Sequence, residues 1–596
     1  MNVQLIIQGG NVLLYCHMRM RFTLKILLHL LLVFGFFEVS EAQHILLDSR
    51  PDGSPAYSDV VFSPRFLRPE SFDIAKNFSA TRAEWIYVAQ WSEFAEQLNR
   101  LPGWVGLTLN SNPIVVGGEG YAQNFDGIPL VAPWMKSWGA KWATTTHPET
   151  RKALAQQLER SLAVGARSIQ FDDPLLQVYS ARFHAGDFNP ATQAGFVDWL
   201  RRYPNQAQVR AAGLDDFSGQ YRDFLVLKHQ IRDAEDYKHR FQSFPSNALW
   251  QQYVQSTVED YFFLLRKRLH ENSPHPVALS MNLSLKWPDA RYHSFFLSAF
   301  PDYMMAETEI NDTSALIAQA ATARSLDLGF APSIRPMDLP RNRVAIAMLY
   351  ALGAQPVVPW DVFAPNQPRY FGTVAEFGDL YRFVRAHTDL FDHHEALATV
   401  AIIIDPGRFP LPAIQSLTRR LAQRNIPYAF ELLSDAKGLR PLTRERLSGY
   451  QLVALGLKET ELPDSDRALL SSIDIQRVEA NSVTNAQLDA LSLFLAAPGS
   501  EKLRLLPRAG TGKAAGSWVV HVVDEEGGDV RRDVSRQDCR RRIGIKPSTL
   551  GIPEHVTASW ISSEQHRVLR GERTSDGYLY FSIPDCPVWG VLRLTK

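Results

Sequence analysis

From about Trp85 onward, short apolar runs alternate with stretches whose apolar residues recur at helical spacing. The runs predict strands at Trp85–Val88, Val105–Leu109, Lys141–Thr144, Ser168–Asp172, Val277–Asn282, Tyr303–Glu307, Leu328–Pro332 and Pro356–Trp360. Helical patterns lie between many of them, among them Ser92 to Leu98, Pro148 to Val164, Ala248 to Leu269 and Asp312 to Ser325. Eight strands separated by helices over roughly 300 residues predict a (β/α)8 TIM barrel. The third strand competes with Leu130-Val131-Ala132. Residues 174–276 exceed a simple strand-to-helix connection and carry helical patterns, so they predict a helical insertion walling the catalytic face.

The pattern changes twice after the barrel, whose predicted extent is 43–392. Thr399 to Asp405 is a buried-strand run, followed by a helix (Ala413 to Gln423) and strands at Tyr428–Leu432 and Leu452–Leu455. That order predicts a small parallel α/β domain of the flavodoxin or amidotransferase kind over 393–500. Asp405-Pro406-Gly407-Arg408 stands where a Gly-rich phosphate loop would be, so no nucleotide is expected. Gly510-Thr511-Gly512-Lys513 lacks a preceding strand and the Ser/Thr of a phosphate loop, and reads as a linker. Runs beginning at Trp518, Val556, Tyr578 and Trp589 then predict a β-sandwich over 510–596.

Composition narrows the classes. Hydrophobic residues make up 45% and charged residues 21%, ordinary globular usage. Lys plus Arg and Asp plus Glu are 63 each, so the chain has no basic footprint for nucleic acid. Arg19, Arg21 and Lys25 precede the apolar run Ile26 to Phe37, and small residues follow at Ser40 and Ala42. This is a signal peptide in outline over 1–42, and it predicts a secreted or periplasmic protein. The run of about 12 residues is short of the ~20 needed to span a bilayer, so no stable membrane anchor is expected after cleavage. Of three cysteines, Cys16 leaves with that segment, and Cys539 and Cys586 either pair or stay as buried thiols. His393-His394-Glu395 lacks metal-ligand spacing and reads as a polar linker, so neither a metal nor a cofactor is expected.

The candidate chemistry lies at two strand ends. Ser168-Ile169-Gln170-Phe171-Asp172-Asp173-Pro174 is a strand running into a proline stop, with Asp172 and Asp173 at its C-terminal end. Glu307 and Glu309 close the sixth predicted strand. Parallel α/β folds place their chemistry at that end, and glycoside cleavage needs two carboxyls, one donating a proton and one acting as nucleophile or base. Trp91, Trp134, Trp138, Trp142, Trp287, Trp360 and Phe363 gather near the same ends, where indoles stack on sugar rings. Asn110, Asn282, Lys286 and Asp361 are candidates for bonding hydroxyls, and Arg82 and Arg335 for the same cleft or for pairing with its carboxylates. Neither a Gly-x-Ser-x-Gly elbow nor a His-Glu-x-x-His helix is present, which argues against a serine esterase or zinc protease.

A barrel whose fourth strand reads Gln170-Phe171-Asp172-Asp173-Pro174, followed by an α/β domain and a β-sandwich, resembles multi-domain (β/α)8 glycoside hydrolases. In architecture it is similar to the β-galactosidases with a trimerisation domain and to uncharacterised hydrolase-like barrels with a Phe-Asp-Asp strand. The resemblance implies that Asp172 or Asp173 is the nucleophile and Glu307 or Glu309 the proton donor. It departs from the β-galactosidases in lacking Asn-Glu on strand four and a Glu at the end of Leu328–Pro332. The second domain has no cysteine nucleophile, so a structural or oligomerising role is expected of it, not amidotransferase activity. The leading expectation is a secreted glycoside hydrolase acting on a polysaccharide or oligosaccharide. The alternative is a catalytically inactive carbohydrate-binding or scaffold protein.

Overall fold

Seven short strands form one all-parallel sheet in the computed structural model: β1 (Val61–Phe62), β2 (Arg82–Ile86), β3 (Trp104–Asn110), β4 (Ser168–Asp172), β5 (Ala278–Met281), β6 (Tyr303–Met304) and β7 (Gly329–Phe330). The structure describes residues 44–46, 50–88, 91–110, 119–183, 186–273, 275–283, 294–308, 312–335, 338–364, 367–405, 412–433, 441–496, 500–527, 541–553, 555–584 and 587–596. Neighbours in the sheet follow chain order, as they must when each strand is joined to the next by a crossover on the same side. The sheet is curled. Gln355 and Val357 donate backbone N–H groups to the carbonyls of Phe330 and Pro332, and Val358 N–H reaches the Val61 carbonyl at 2.8 Å. Residues 355–358 therefore bond to the segment that continues β7 on one side and to β1 on the other.

Side-chain alternation separates two cores. Val61, Ala278, Tyr303, Met305, Ala331 and Val357 pack together on one face of the curl. Their neighbours in sequence, Phe62, Leu279, Met304, Phe330 and Val358, belong to the larger core shared with the helices. The helix Pro148–Ala163 illustrates the outer layer. His147 caps it by accepting the Glu149 N–H, Pro148 occupies the first turn, and Leu154, Leu158 and Ser161 face inward at helical spacing. Gly165, at φ 87°, turns the chain from that helix into β4, a conformation glycine adopts without Cβ strain.

The stretch between β4 and β5 is helical, ending in the 28-residue helix Pro245–Asn272 that returns to the sheet. An aromatic cluster holds it: Trp250 lies 4.8 Å from Tyr221 and 4.9 Å from Phe196, the latter edge-on. Downstream, Tyr428–Leu432, Val400–Ile404, Leu452–Leu455 and Gln476–Glu479 pair in that order as a four-stranded parallel sheet. A seven-stranded and a four-stranded antiparallel sheet complete the chain and share one core through residues such as Val520, Trp560, Ile543 and Phe581.

Two strand expectations fail in compensating ways. Lys141–Thr144 is not a sheet strand: it forms isolated bridges, Val131 with Lys141 and Tyr121 with Ala143, in a loop excursion after β3. Val61–Phe62, two residues long and too short to stand out as an apolar run, is the true first strand. One strand too many and one too few leave Ser168–Asp172 fourth and Tyr303–Met304 sixth. The supposed linker at His393-His394-Glu395 is also corrected. His394–Ala398 is a buried strand pairing with Leu503–Gly510, and the latter ends in the glycine read as linker. Cys539 and Cys586 lie outside the described residues. Among the described residues no helix is long and apolar enough to cross a membrane.

Candidate active site

Asp172 ends β4 beside the last residue of β3, Asn110, its partner in register. Three donors converge on its carboxylate. Tyr87, just past β2, donates its hydroxyl to Oδ2; Asn282, just past β5, donates Nδ2 to Oδ1 at 2.9 Å; and the Asp173 backbone N–H reaches Oδ1 at 3.1 Å. The carboxylate is thus oriented by a side chain past the neighbouring β5 and by one past β2, two strands away on the other side, and remains an acceptor in each of these contacts. Asp173 itself has φ 50°, a left-handed conformation that is costly for a residue with a Cβ.

Tyr87 is held in turn. Trp85 Nε1 donates to its hydroxyl at 3.1 Å, and its own backbone N–H bonds the Arg65 carbonyl. Burial pushes the phenol pKa well above its usual value, and the Asp172 charge pushes it the same way while Arg65 opposes. The phenol therefore stays a donor across the working pH range. Trp85 at φ 56° and Arg65 at φ 61° are both left-handed, and the Arg65 guanidinium lies over the Trp85 ring at 3.2 Å. Strained non-glycine residues recur around this site, including Asp361 at φ 57°.

Glu307, beyond β6, lies between two guanidinium groups. Arg65 Nη2 is 3.5 Å from Oε1 and Arg335 Nη2 is 3.5 Å from Oε2. A second pair of arginines grips Asp361, whose carboxylate is fully buried: Arg68 Nη1 at 2.8 Å from Oδ2 and Arg369 Nε at 3.1 Å from Oδ1. Burial raises the Asp361 pKa, and the Arg68 and Arg369 contacts oppose that rise. The hairpin Trp360–Ala364 with Gln367–Phe371 is thereby pinned to the loop after β1. Among the described residues no three His, Cys, Asp or Glu side chains converge as a metal site.

No family model matches the chain. It is 23% identical over 506 residues to an alpha-agarase of Thalassotalea agarivorans. That match covers 76% of this chain and 32% of the relative, so the chain spans about a third of that protein's length. Similar solved structures include a rhamnosidase from Novosphingobium sp. PP1Y, with 12% identity over 77% of this chain and 48% of that one, at a TM-score of 0.41. A cycloisomaltooligosaccharide glucanotransferase of Paenibacillus sp. aligns over 90% of this chain and 85% of its own at 8% identity and a TM-score of 0.40. The trehalose-6-phosphate hydrolase TreA of Bacillus licheniformis aligns over 91% and 99% at 10% identity and a TM-score of 0.35.

Of the residues singled out in the sequence, the structure brings Asp172, Asp173 and Asn282 together, and it ties Glu307 to Arg335. Four others do not join a cleft. Arg82 is buried and bonded to Glu84 at 2.9 Å near the start of β2, because residues 82 and 84 share one face of the strand. Trp142 is fully buried against Tyr179, and Trp360 is covered by Phe62 and Phe371, which leaves neither an open face for a sugar. Asp361 is a buried anchor for two arginines, not a hydroxyl ligand. Glu309, Lys286 and Trp287 lie outside the described residues, as do the side chains of Asn110, Trp134 and Trp138. Tyr87, Arg65, Arg68 and Arg369 were not anticipated. For Arg65 and Arg68 the sequence signal is the run Val60-Val61-Phe62-Ser63-Pro64-Arg65, apolar residues leading into a proline loop.

Proposed function

We propose that the chain is a secreted glycoside hydrolase acting on a polysaccharide or oligosaccharide. The observation that carries this reading is Asp172, a carboxylate at the C-terminal end of the fourth parallel strand, fixed by Tyr87, Asn282 and the Asp173 N–H. The signal-like segment 1–42 and the relative's name, alpha-agarase, support the same reading. In this proposal Asp172 attacks the anomeric carbon, or takes the proton of a water that does, while the glycosidic C–O bond breaks. The leaving oxygen takes a proton from a second carboxyl, Glu307. Its guanidinium contacts are long at 3.5 Å, so substrate entry can open one of them.

The architecture proposed with it is a closed (β/α)8 barrel over 43–392, with the helical stretch 174–276 inserted after strand four. A flavodoxin-like domain over 393–500 and a β-sandwich over 510–596 follow, and homo-oligomerisation is assigned to the former. The backbone bonds of 355–358 to both β1 and the end of β7 support closure as an eighth strand. The parallel order of the four strands from Val400 to Glu479 supports the second domain.

The test is reducing-end release from a panel of algal, plant and microbial glycans by the wild type, Asp172→Asn, Asp173→Asn and Glu307→Gln. Loss of at least about a hundredfold is expected in the Asp172 and Glu307 variants while they remain folded. Full activity in Asp172→Asn would sink the assignment. A glycan bound equally by all four proteins and cleaved by none would instead make the chain a binding protein.

A further inference from the structure

Arg68 and Arg369 share one carboxylate. Asp361 takes 2.8 Å and 3.1 Å contacts from them, so one of the two positive charges is left uncompensated within the cluster. Pinning the hairpin to the loop after β1 needs one guanidinium on a buried anion, not two. Both arginine side chains also reach solvent, at 29% and 25% exposed, while the Asp361 side chain is closed off. Burial lowers the Arg369 pKa; Asp361 opposes this, whereas Arg68 and Arg65 add to it, as like charges crowded together do.

Two half-exposed aromatic rings border this pair, which is unusual for side chains that could be covered. Phe66 is 43% and Phe371 48% exposed. The Arg68 guanidinium carbon is 5.4 Å from the Phe371 ring centre, and that of Arg369 is 6.0 Å from the Phe66 ring centre. Phe66 in turn stacks on Tyr87 at 5.2 Å, and Tyr87 holds Asp172. An exposed aromatic face, a fixed and incompletely neutralised guanidinium pair, and the candidate nucleophile therefore lie in one connected row.

We propose that this row is a subsite for a charged sugar: Arg68 and Arg369, held by Asp361, receive an anionic substituent, and Phe66 and Phe371 carry the pyranose ring. The inference rests on the glycoside hydrolase reading and narrows its substrate to an anionic glycan. Guanidinium groups bind the planar or tetrahedral oxygens of carboxylates and sulfate esters with paired N–H donors, and aromatic faces take the C–H side of a sugar. A sulfate ester and a uronic carboxylate share this chemistry. The experiment separates them.

Binding of wild type and of Arg369→Gln is measured by calorimetry on three oligosaccharide ladders of equal length: a neutral galactan, the same galactan sulfated, and a polyuronate. Arg369→Gln leaves the Arg68–Asp361 pair in place, and Arg369→Lys keeps the charge should the glutamine variant not fold. One charged ladder is expected to bind about tenfold tighter than the neutral one. The advantage should shrink at high salt, and Arg369→Gln should remove most of it while leaving neutral binding within about twofold. Whichever charged ladder holds the advantage identifies the substituent. Arg369→Lys should keep the salt dependence but lose part of the advantage, because an ammonium cannot present two parallel donors. Equal binding of neutral and charged ladders, or an equal loss on all three in Arg369→Gln, overturns the subsite. Reducing-end release on the same ladders is read separately. Cleavage without charge preference leaves the hydrolase and removes the subsite, whereas charge-selective binding without cleavage does the reverse.

Discussion

Tyr87→Phe is the sharpest test of how the site is held. The substitution keeps the ring that stacks on Phe66 and removes one oxygen, which donates to Asp172 Oδ2 and accepts from Trp85 Nε1. A hydrogen bond to a charged group is worth about 1.5–3 kcal/mol, and losing it also leaves the indole N–H unpaired. If that bond fixes the carboxylate for attack, the loss falls on the transition state, and about 1.4 kcal/mol is a factor of ten in rate. Tyr87→Phe should therefore lower kcat/KM by about ten- to a hundredfold, mostly through kcat, on whichever glycan the wild type cleaves. Because burial holds the phenol pKa well above its usual value, any alkaline limb of the pH–rate profile should be the same in both proteins. A variant within about twofold of wild type, or one whose alkaline limb moves, would refute the positioning role. Thermal unfolding run alongside separates a lost hydrogen bond in the site from a misfolded chain.

Three further outcomes follow from buried groups. Asp187 accepts bonds from Thr144, Thr192 and two backbone N–H groups, yet burial raises its pKa to about 6. The folded state then binds a proton more tightly than the unfolded one, and stability falls as pH rises from about 4 to 6, by about 3 kcal/mol in all. Asp187→Asn should gain on the wild type by that amount between pH 4 and pH 7 in denaturant titrations, and a constant difference would contradict it. His521 is fully buried, burial with Arg508 and His394 lowers its pKa far below the usual value, and Phe391 and Trp589 surround it. A depressed histidine contributes stability that is present above about pH 6.5 and lost as pH falls. His521→Phe should flatten its share of that acid loss, while the share due to His394, whose pKa burial lowers to about 4, remains; an unchanged acid limb would count against it. Gly106→Ala would place a Cβ on Glu84 Oε2 and Ser168 Oγ, and should destabilise by about 1–3 kcal/mol with a lower unfolding midpoint and no change in substrate preference.

What the sequence made legible divides by the length scale of the signal. Asp172 could be found because five residues of β4 alternate cleanly and stop at a proline, and because the strand order places that end on the functional side. Tyr87 could not. Its strand was expected to begin at Trp85, whereas β2 runs from Arg82 to Ile86 with a register shift between Ala83 and Ile86. That irregularity, with Trp85 left-handed, breaks the period of two on which any assignment of facing side chains depends. Arg82 misled for the opposite reason. Charged residues in a strand are ordinarily read as exposed, but here Arg82 and Glu84 neutralise each other inside the curl and Ser168 completes the network.

The same limit explains why the arginines of the mouth escaped notice and why they bear on function. Arg65 and Arg68 come from the loop after β1, Arg335 from beyond β7 and Arg369 from the returning arm of a hairpin, so only the curling of the sheet brings them near one another. Overall neutrality, with 63 residues of each sign, hides such a local excess. If two guanidiniums on Asp361 were merely structural, replacing either partner should cost stability and nothing else. If they are a subsite, Arg369→Gln should change which glycan is preferred before it changes how well the chain folds. Charge selectivity measured against unfolding midpoint, variant by variant, is therefore the comparison that decides between a pin and a recognition element.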